Sequence, residues 1–452
     1  MKINNFFSKY IILPLSDIIT GQSIYNSLLF LEKSQSWSRD MIDDYQNVML
    51  RKLVHHAYNN VQFYNELFLD LNLKPEDIQS KEDLIKIPII TKDILKKNNK
   101  KLLAKNIEKR KLIFSSSSGS TGEPFQFFTT KRAESMLKAA AIRGWEWMGY
   151  NLGDKYIKIS MNPRNSIIKR IQDIMNNSLY LSSTQLSSFE FSEIEKKIIQ
   201  FKPKFIRCYP VPLHFLSQQI KSKSEHAQNQ NLIAINTTGS TLHHEVRSEI
   251  EGVFGVKIFD SYSCEGGTIF AECKEHSHYH PAEEYAISEF IDDNYTLADP
   301  EHPKRHITTD LYNYATPFIR YDTQDYVVLG DKNICKCQSQ FLNIKKIKGR
   351  DSDILVTPSG KFLIVENFVA YFEWINEVDQ IQVVQNKKDE IEISMIVNEN
   401  FNNDIYEMIL SYWENYIGND VKILLKIVDC INLTPTGKRR TVIRNIDIPI
   451  ND

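Results

Sequence analysis

Apolar residues recur at helical spacing through residues 39–110, as in RDMIDDYQNVMLRKLVHHAYNNVQFYNELF, and Pro88 breaks this pattern. Farther along, short β-rich apolar runs alternate with segments of helical periodicity, one of them at 132–148. The runs lie at 111–115, 155–160, 204–209, 232–238 and 257–262. Strands that alternate with helices favour a parallel or mixed sheet covered by helices on both faces.

The pattern changes twice in the second half of the chain. After Tyr285 come alternating β-type runs: YAISEFI, HITTDL, FIRYD and YVVLGD. From Ser352 onward, two β-type runs enclose the helical segment NDIYEMILSYWENYIG. We therefore expect an α/β fold with a large N-terminal body, 1–351, that includes a β-rich subdomain. A small, mobile α+β C-terminal lid would comprise 352–452, with the boundary at the charged turn 350–353.

Composition excludes several classes of protein. The chain has 452 residues, which favours at least two domains, and a net charge of −2, so no global field attracts nucleic acid or anionic lipid. The basic run KKNNKKLLAK at 96–105 is flanked by acids and is interpreted as a solvated helix face. Six cysteines in this length do not form a disulfide scaffold.

The N-terminal stretch MKINNFFSKYIILPLSDIITGQSIYNSLLFLEK is apolar, but Pro14, Ser16 and Asp17 interrupt it. A membrane span needs about 20 predominantly apolar residues. A helix packed on its own domain is favoured over an interfacial membrane helix. No cleavable secretory signal is visible, and we expect a cytoplasmic protein.

The strongest local signal for chemistry is SSSSGSTGEPF at 115–125, between a predicted strand and a predicted helix. Gly119 and Gly122 permit a positive φ and a close backbone approach. Hydroxyl groups around them can donate to phosphate oxygens, namely those of Ser117, Ser118, Ser120 and Thr121. No Gly-Lys-Ser/Thr follows, so this is not a Walker A loop, and a Ser/Gly surface turn is the alternative.

This loop and four later segments resemble, in order and spacing, the motifs of the adenylate-forming (acyl-CoA synthetase-like) superfamily. The later segments lie at 235–267, 317–325, 347–355 and 433–440. Within the superfamily the chain most resembles the phenylacetate–CoA ligase-like family, especially its branch associated with capsular polysaccharide biosynthesis. Each motif is weak alone, and their common order carries the resemblance.

The resemblance implies a set of nucleotide-binding residues. The loop would grip the ATP phosphates, with Phe125 where many members carry Lys, and Gly239 and Ser240 would lie against adenine. Asp260 and Tyr262 belong to the block that follows. Asp325 would accept hydrogen bonds from the ribose, with Gln324 in place of the family's Gly.

The same resemblance implies the catalytic residues. Glu265 would bind Mg²⁺, which offsets phosphate charge. Arg350 would contact ribose or phosphate beside a hinge at Ser352. Lys438, in LTPTGKRR, would neutralise charge between the attacking carboxylate and the α-phosphate.

Cysteines and histidines at short spacings indicate a metal site. Cys273 precedes His276 and His280, and a Cys-x-Cys pair, Cys335 and Cys337, follows about sixty residues later. Three thiolates and one imidazole are a ligand set for a closed, structural zinc site, with either His276 or His280 as the fourth ligand. Reduced cysteines with surface histidines are the alternative.

The predicted function is ATP-dependent activation of a small carboxylic acid as an acyl-adenylate. The acyl group would then pass to a thiol, on CoA or a carrier protein, or to an amine such as an amino sugar. Trp145, Trp147, Tyr180, Tyr209 and Pro210 would line the acid pocket, unless they are core aromatic packing. The alternative is a catalytically degenerate nucleotide-binding scaffold of a polysaccharide assembly.

Overall fold

The central feature is one mixed sheet that spans most of the chain. In a computed structural model the described residues are 3–116, 125–160, 167–182, 188–221, 231–239, 242, 244–264, 266–292, 303–331, 333–350, 354–358, 362–364, 368, 371–372, 375–418, 420–431 and 441–446. Their strands are β1 (Leu112–Ser116), β2 (Gln126–Thr130), β3 (Tyr156–Ser160), β4 (Ser178–Ser182), β5 (Phe205–Cys208), β6 (Ala234–Thr238), β7 (Lys257–Cys264), β8 (Thr268–Glu272), β9 (Tyr279–Pro281), β10 (Ala286–Ile291), β11 (Lys304–Asp310), β12 (Tyr321–Leu329), β13 (Ile344–Arg350), β14 (Ile354–Val356), β15 (Phe362–Ile364), β16 (Val378–Lys387), β17 (Glu390–Val397), β18 (Lys422–Ile427) and β19 (Val442–Arg444).

The sheet has 11 strands in the described part of the chain, in the order β10-β11-β12-β13-β9-β8-β7-β6-β5-β3-β4. Strands β4, β3, β5, β6 and β7 are parallel, and pairing from β7 to β10 is antiparallel. The expected α/β class and the β-rich subdomain are therefore confirmed. FIRYD is not a separate strand, because its last two residues begin β12, and Arg320 before them has a φ of +53°.

Helices cover both faces of the parallel half. The α-helices are α1 (Ile3–Phe7), α2 (Leu13–Thr20), α3 (Ile24–Ser34), α4 (Arg39–Asn60), α5 (Gln62–Asp70), α6 (Lys92–Lys97), α7 (Lys131–Trp147), α8 (Ile167–Met175), α9 (Ser188–Phe201), α10 (Pro210–Lys221), α11 (His244–Phe254) and α12 (Asn403–Ile417). Residues 39–70 are helical as predicted, whereas 75–101 contain short 3₁₀ turns and only α6. In the part of the chain that is described, no helix combines the length and apolar character that crossing a bilayer requires.

Alternation along β5 explains how the two helical layers form. Ile206 and Cys208 pack with residues of α9, α10 and α11. Phe205, on the opposite face, packs with Met148 and Tyr150 at the end of α7. Successive side chains of a strand point to opposite faces, so one short strand anchors both layers.

The C-terminal part forms its own sheet, ordered β18-β17-β16-β19, with α12 packed against it. Asn402 caps α12, accepting a hydrogen bond from the backbone N–H of Ile405. Trp413 of α12 is fully buried and stacks on Phe368, with ring centroids 4.3 Å apart. The expected α+β unit is present, and the boundary at 350–353 and the unit's mobility stay predictions.

A buried ion pair connects the N-terminal helices to the sheet. Arg143 of α7 donates two hydrogen bonds to Glu284, at 2.7 and 3.2 Å, and Ser34 of α3 also donates to Glu284. Arg143 and Glu284 are 1% and 0% exposed. Trp147 and Phe341 lie on the guanidinium, 5.4 and 5.1 Å from their ring centroids. The pair thus joins α3 and α7 to the turn before β10.

Glu284→Gln should destabilise the fold by about 3–5 kcal/mol, because it leaves the Arg143 charge buried without a carboxylate. The double variant Arg143→Met with Glu284→Leu removes both charges and should lose less stability than the single variant. Urea unfolding of both proteins measures the difference. Equal or greater loss in the double variant would contradict a charge-pairing role.

Candidate nucleotide-binding and metal sites

Two residues from separate predicted motifs meet at one point. Tyr262, near the end of β7, donates a hydrogen bond to the carboxylate of Asp325 on β12. Burial, and next the charge of Asp325, raise the pKa of Tyr262 well above its ordinary value, so the phenol stays protonated. Asp325 in turn pairs in register with Arg350 of β13. The fold therefore brings together three positions expected to contact the nucleotide, of which Asp325 was expected to bind the ribose.

Gln324 occupies the position where the family motif has Gly. Its φ is +60°, in the left-handed region that favours glycine. Its backbone N–H donates to Asp322, at 2.9 Å. The backbone at this position is thus left-handed, a conformation that glycine adopts most easily, although the residue is glutamine.

Gly239, the residue after β6, packs closely against the ring of Tyr209. Its φ is +85°, and a Cβ atom there would lie 2.2 Å from the Tyr209 ring. No larger residue fits without moving Tyr209. Gly239 and Tyr209 lie in contact just after the carboxyl ends of β6 and β5, the edge at which ligands bind in open α/β sheets.

Asp260 lies at the centre of a buried hydrogen-bond network. Its carboxylate accepts from Thr237 and from Tyr279, and its backbone N–H donates to Glu272. Glu272 is neutralised by Arg247, at 2.9 Å. Burial, and to a smaller extent the charge of Glu272, raise the pKa of Asp260 to about 7. The hydrogen bonds that Asp260 accepts from Thr237 and Tyr279 lower this pKa, but only in part. In the structure Asp260 ties β6, β7, β8 and β9 together, and its contact with nucleotide stays a prediction.

Several predicted site residues lie outside the described residues. They are Ser117, Ser118, Gly119, Ser120, Thr121, Gly122, Ser240, Glu265 and Lys438, and of Arg350 only the backbone is described. Their roles stay predictions.

A cavity adjoins the Tyr262 region, between α7 and strands β5, β6 and β7. Its empty volume is about 400 Å³, including the part open to solvent. Trp145, Arg207 and Asn236 line it together with Asp260 and Tyr262. Of the five aromatic and proline positions expected in an acid pocket, Trp145 lines this cavity, whereas Trp147 packs edge-on to His280. Arg207 and Asn236 were not anticipated, and the only signal in the sequence was a charged residue inside the apolar run KFIRCY.

Three cysteines and one histidine come together next to β8 and β9, in the antiparallel part of the sheet. The ligand atoms of Cys273, His280, Cys335 and Cys337 all lie within 4.8 Å of one another. Cys273 follows β8, His280 is on β9, and the Cys-x-Cys pair lies between β12 and β13. His280 Nδ1 is 3.0 Å from the carbonyl oxygen of Leu342, which orients its Nε2 toward the sulfurs.

The cluster fits a tetrahedral zinc ion. Ligands about 2.3 Å from zinc in tetrahedral geometry are roughly 3.8 Å apart. Cys273 and Cys335 sulfurs are 3.8 Å apart, and His280 Nε2 is 3.2 Å from the Cys337 sulfur. Burial opposes ionisation of Cys273, but hydrogen bonds from His280 and Ser277 outweigh it and lower its pKa to about 5.

His276 is not part of this cluster. Its φ is +51°, and its Nδ1 lies 3.4 Å from Glu272. Its ring packs on Phe259, with centroids 4.1 Å apart. The structure thus resolves the choice of histidine in favour of His280 as the neighbour of the three cysteines.

Comparisons with known proteins agree with this fold. Residues 355–445 match the family model described as the CapK C-terminal domain. The chain is 26% identical to Protein CapK of Staphylococcus aureus, over 89% of both chains, and 23% identical to the phenylacetate–coenzyme A ligase of Thermus thermophilus, over 85% of this chain and 88% of that one. A crystal structure of 2-hydroxyisobutyryl-CoA ligase in the postadenylation state superposes with a TM-score of 0.69 at 14% identity, over 92% of each chain.

The chain is therefore similar over most of its length to CapK and to phenylacetate–CoA ligases, and residues 355–445 match the CapK C-terminal domain. One of these relatives is a phenylacetate–coenzyme A ligase, and the 2-hydroxyisobutyryl-CoA ligase structure contains the acyl-adenylate R3-HIB-AMP.

We propose that the cysteine–histidine cluster binds one structural zinc ion. Purified protein should contain about one zinc per chain, and Cys335→Ser with Cys337→Ser should lose both the zinc and thermal stability, because the metal joins two loops. Elemental analysis and thermal unfolding measure these effects, with the exposed Cys430→Ser as the matched control. Metal-free protein of unchanged stability would contradict the proposal.

Proposed function

We propose that this protein adenylates a carboxylic acid with ATP and then transfers the acyl group to a thiol or amine acceptor. The observation that carries the proposal is the meeting of Tyr262, Asp325 and the Arg350 backbone beside the cavity that Trp145 lines. A carboxylate placed to bind ribose, beside a cavity partly open to solvent, suits a reaction that joins an acid to a nucleotide. The family relationship supports the same reaction.

The residues divide the work between alignment and charge. Asp325, which accepts a hydrogen bond from Tyr262, would orient the ribose. Gly239 and the Tyr209 ring, which are in contact, would support the adenine. The cavity would hold the acid out of water, so its carboxylate meets the α-phosphate in one orientation. Lys438 would neutralise the negative charge that gathers between the two groups.

Magnesium would be held by Glu265 and would reduce the charge of the phosphates. No protein nucleophile is needed, because the acid itself attacks the α-phosphorus and pyrophosphate leaves. In the second step the acceptor's sulfur or nitrogen would displace AMP, which is a far better leaving group than hydroxide.

The acceptor and the pathway belong to this proposal as well. CoA is the acceptor named for the phenylacetate and 2-hydroxyisobutyrate ligases. Similarity to CapK supports a role in building surface polysaccharide, in which an amino sugar would be an amine acceptor.

Lys438→Ala should reduce adenylate formation at least about a hundredfold while ATP affinity changes only a few-fold, because the lysine acts on charge that develops during the reaction. Pyrophosphate release with hydroxylamine as the trap, measured over a panel of acids, tests this. Lys422→Ala, an exposed lysine of the same C-terminal unit, is the control.

Three outcomes separate the alternatives. Turnover with an acid, lost only in the Lys438 variant, supports the proposal. Tight ATP binding without turnover on any acid favours the degenerate scaffold. Equal loss of ATP affinity and turnover in the Lys438 variant contradicts the assigned role.

A further inference from the structure

Arg207 carries a positive charge into the molecule without a carboxylate to match it. It lies on β5 between Ile206 and Cys208, and its guanidinium sits 5.2 Å from the centroid of the Trp145 ring. Burial lowers its pKa, and no carboxylate contributes to it. Among the residues that the structure describes, no hydrogen bond or ion pair to Arg207 is found.

Four other arginines of the sheet and its helices are neutralised by a carboxylate within hydrogen-bond distance: Arg143 by Glu284, Arg247 by Glu272, Arg305 by Asp322 and Arg320 by Glu289. Arg207 is half-buried, and a charge partly withdrawn from water without such a partner is costly, so a partner from outside the chain would account for its retention.

The cavity beside Arg207 contains a second unsatisfied group. Asn236 is 3% exposed and lines the same cavity, where its amide donates to Phe259 O and Ser261 Oγ. Its Oδ1 has no hydrogen-bond partner. The guanidinium of Arg207 and the unpaired Oδ1 of Asn236 therefore line the same cavity, beside Tyr262, a predicted nucleotide contact.

We infer that Arg207 binds a second anionic group on the acid that the enzyme activates. This inference rests on the proposed function and names its substrate class: a small acid with a carboxylate or phosphate at the far end from the reacting carboxylate. Arg matches the planar carboxylate with two parallel hydrogen bonds. Asn236 can accept a hydrogen bond from a hydroxyl or amine near that group.

Matched pairs of acids test this, with butyrate against succinate and benzoate against terephthalate. Wild-type protein should favour the dianionic member at least about tenfold in binding, read from the change in total tryptophan fluorescence, to which Trp145 contributes, or from thermal stabilisation. Arg207→Met should abolish this preference and leave ATP affinity unchanged. Arg51→Met, which removes a guanidinium at the surface, should change neither.

Binding without any preference for dianions would overturn the inference but leave adenylation standing, because monoanionic acids would still release pyrophosphate. Loss of ATP affinity in Arg207→Met would overturn it by assigning Arg207 to the nucleotide. Acid binding with the predicted preference but no pyrophosphate release would keep the inference and count against the proposed function.

A second inference comes from the N-terminal helical segment, residues 3–20, which turns polar side chains toward the body and apolar side chains toward solvent. Asn5 and Asp17 are its buried side chains, and they bond to the backbone of Leu152 and Tyr25. Ser8 and Lys9 also face the body, Lys9 through an ion pair with Glu32. Large apolar side chains point to solvent instead: Phe6, Phe7, Tyr10, Ile11, Leu15, Ile18 and Ile19.

These exposed residues follow one helical face. Their spacing places them along one side of a rod about 27 Å long, and Ile18 and Ile19 are 78% and 82% exposed. No carboxylate of residues 3–20 is exposed, because Asp17 is buried. Two exposed lysines border the segment: Lys131 donates to Thr20 O, and Lys138, which also pairs with Glu134, donates to the side chain of Gln22.

We propose that this face lies in the interface of an anionic lipid bilayer. An apolar helix face that has cations at its border and no exposed acid fits a negatively charged membrane surface. The polar contacts with the body would hold the rod parallel to the membrane plane, so the cavity stays in water. Among described helices none spans a bilayer, and this contact needs no span.

Flotation with vesicles of phosphatidylglycerol and phosphatidylcholine in equal parts tests the proposal. The protein should float with these vesicles, and Ile18→Ser with Ile19→Ser should reduce the bound fraction at least about tenfold without lowering thermal stability. Leu69→Ser with Ile85→Ser removes two exposed apolar side chains elsewhere and should bind like wild type.

Absence of flotation would overturn the membrane proposal. If the protein instead forms dimers that Ile18→Ser with Ile19→Ser dissociates, the face pairs with a second copy of the chain. Equal flotation of both double variants would also contradict the assignment to this face.

Discussion

Two adjacent buried carboxylates hold the body of this protein together. Glu284 accepts from Arg143 and Ser34, and Glu283 accepts from Arg39 and from the backbone N–H of Leu342. Both acids are buried, and Arg143 is buried with Glu284, whereas Arg39 reaches Glu283 from the solvent side. Helices α3, α4 and α7 are thereby tied to the turn between β9 and β10. The carbonyl oxygen of Leu342 also accepts a hydrogen bond from His280 Nδ1, so Leu342 links Glu283 to the metal cluster.

Regular patterns in the sequence account for the larger architecture. The apolar runs of β3, β5, β6 and β7 and the periodicity of α7 and α12 are strong, because each element buries one face or both. The short spacing of Cys335 and Cys337 also indicated a metal site, because closely spaced cysteine pairs are common zinc ligands. The choice between His276 and His280 depended on the turn after β8, where His276 takes a positive φ that no spacing rule predicts.

Features that depend on tertiary pairing could not be read from the sequence. Arg207 is unusual only because no carboxylate reaches it, and that absence is visible only once the described residues are placed in space. Residues 3–20 have an ordinary amphipathic composition, and only their contacts reveal that the polar side faces inward. Gln324 stands where the family motif has glycine, and its backbone is left-handed, which the amino-acid substitution alone does not reveal. Each case is decided by what surrounds a residue rather than by its neighbours in the chain.

The central claim is that an acid oxygen attacks the α-phosphorus of ATP in the site formed around Tyr262 and Asp325. Following heavy oxygen from a labelled carboxylate through a complete turnover tests this most directly. The account predicts that one labelled oxygen appears in AMP, because the bond between carbon and the bridging oxygen breaks when the acceptor attacks. Label recovered in inorganic phosphate, with ADP as the nucleotide product, would show an acyl-phosphate route and contradict the account.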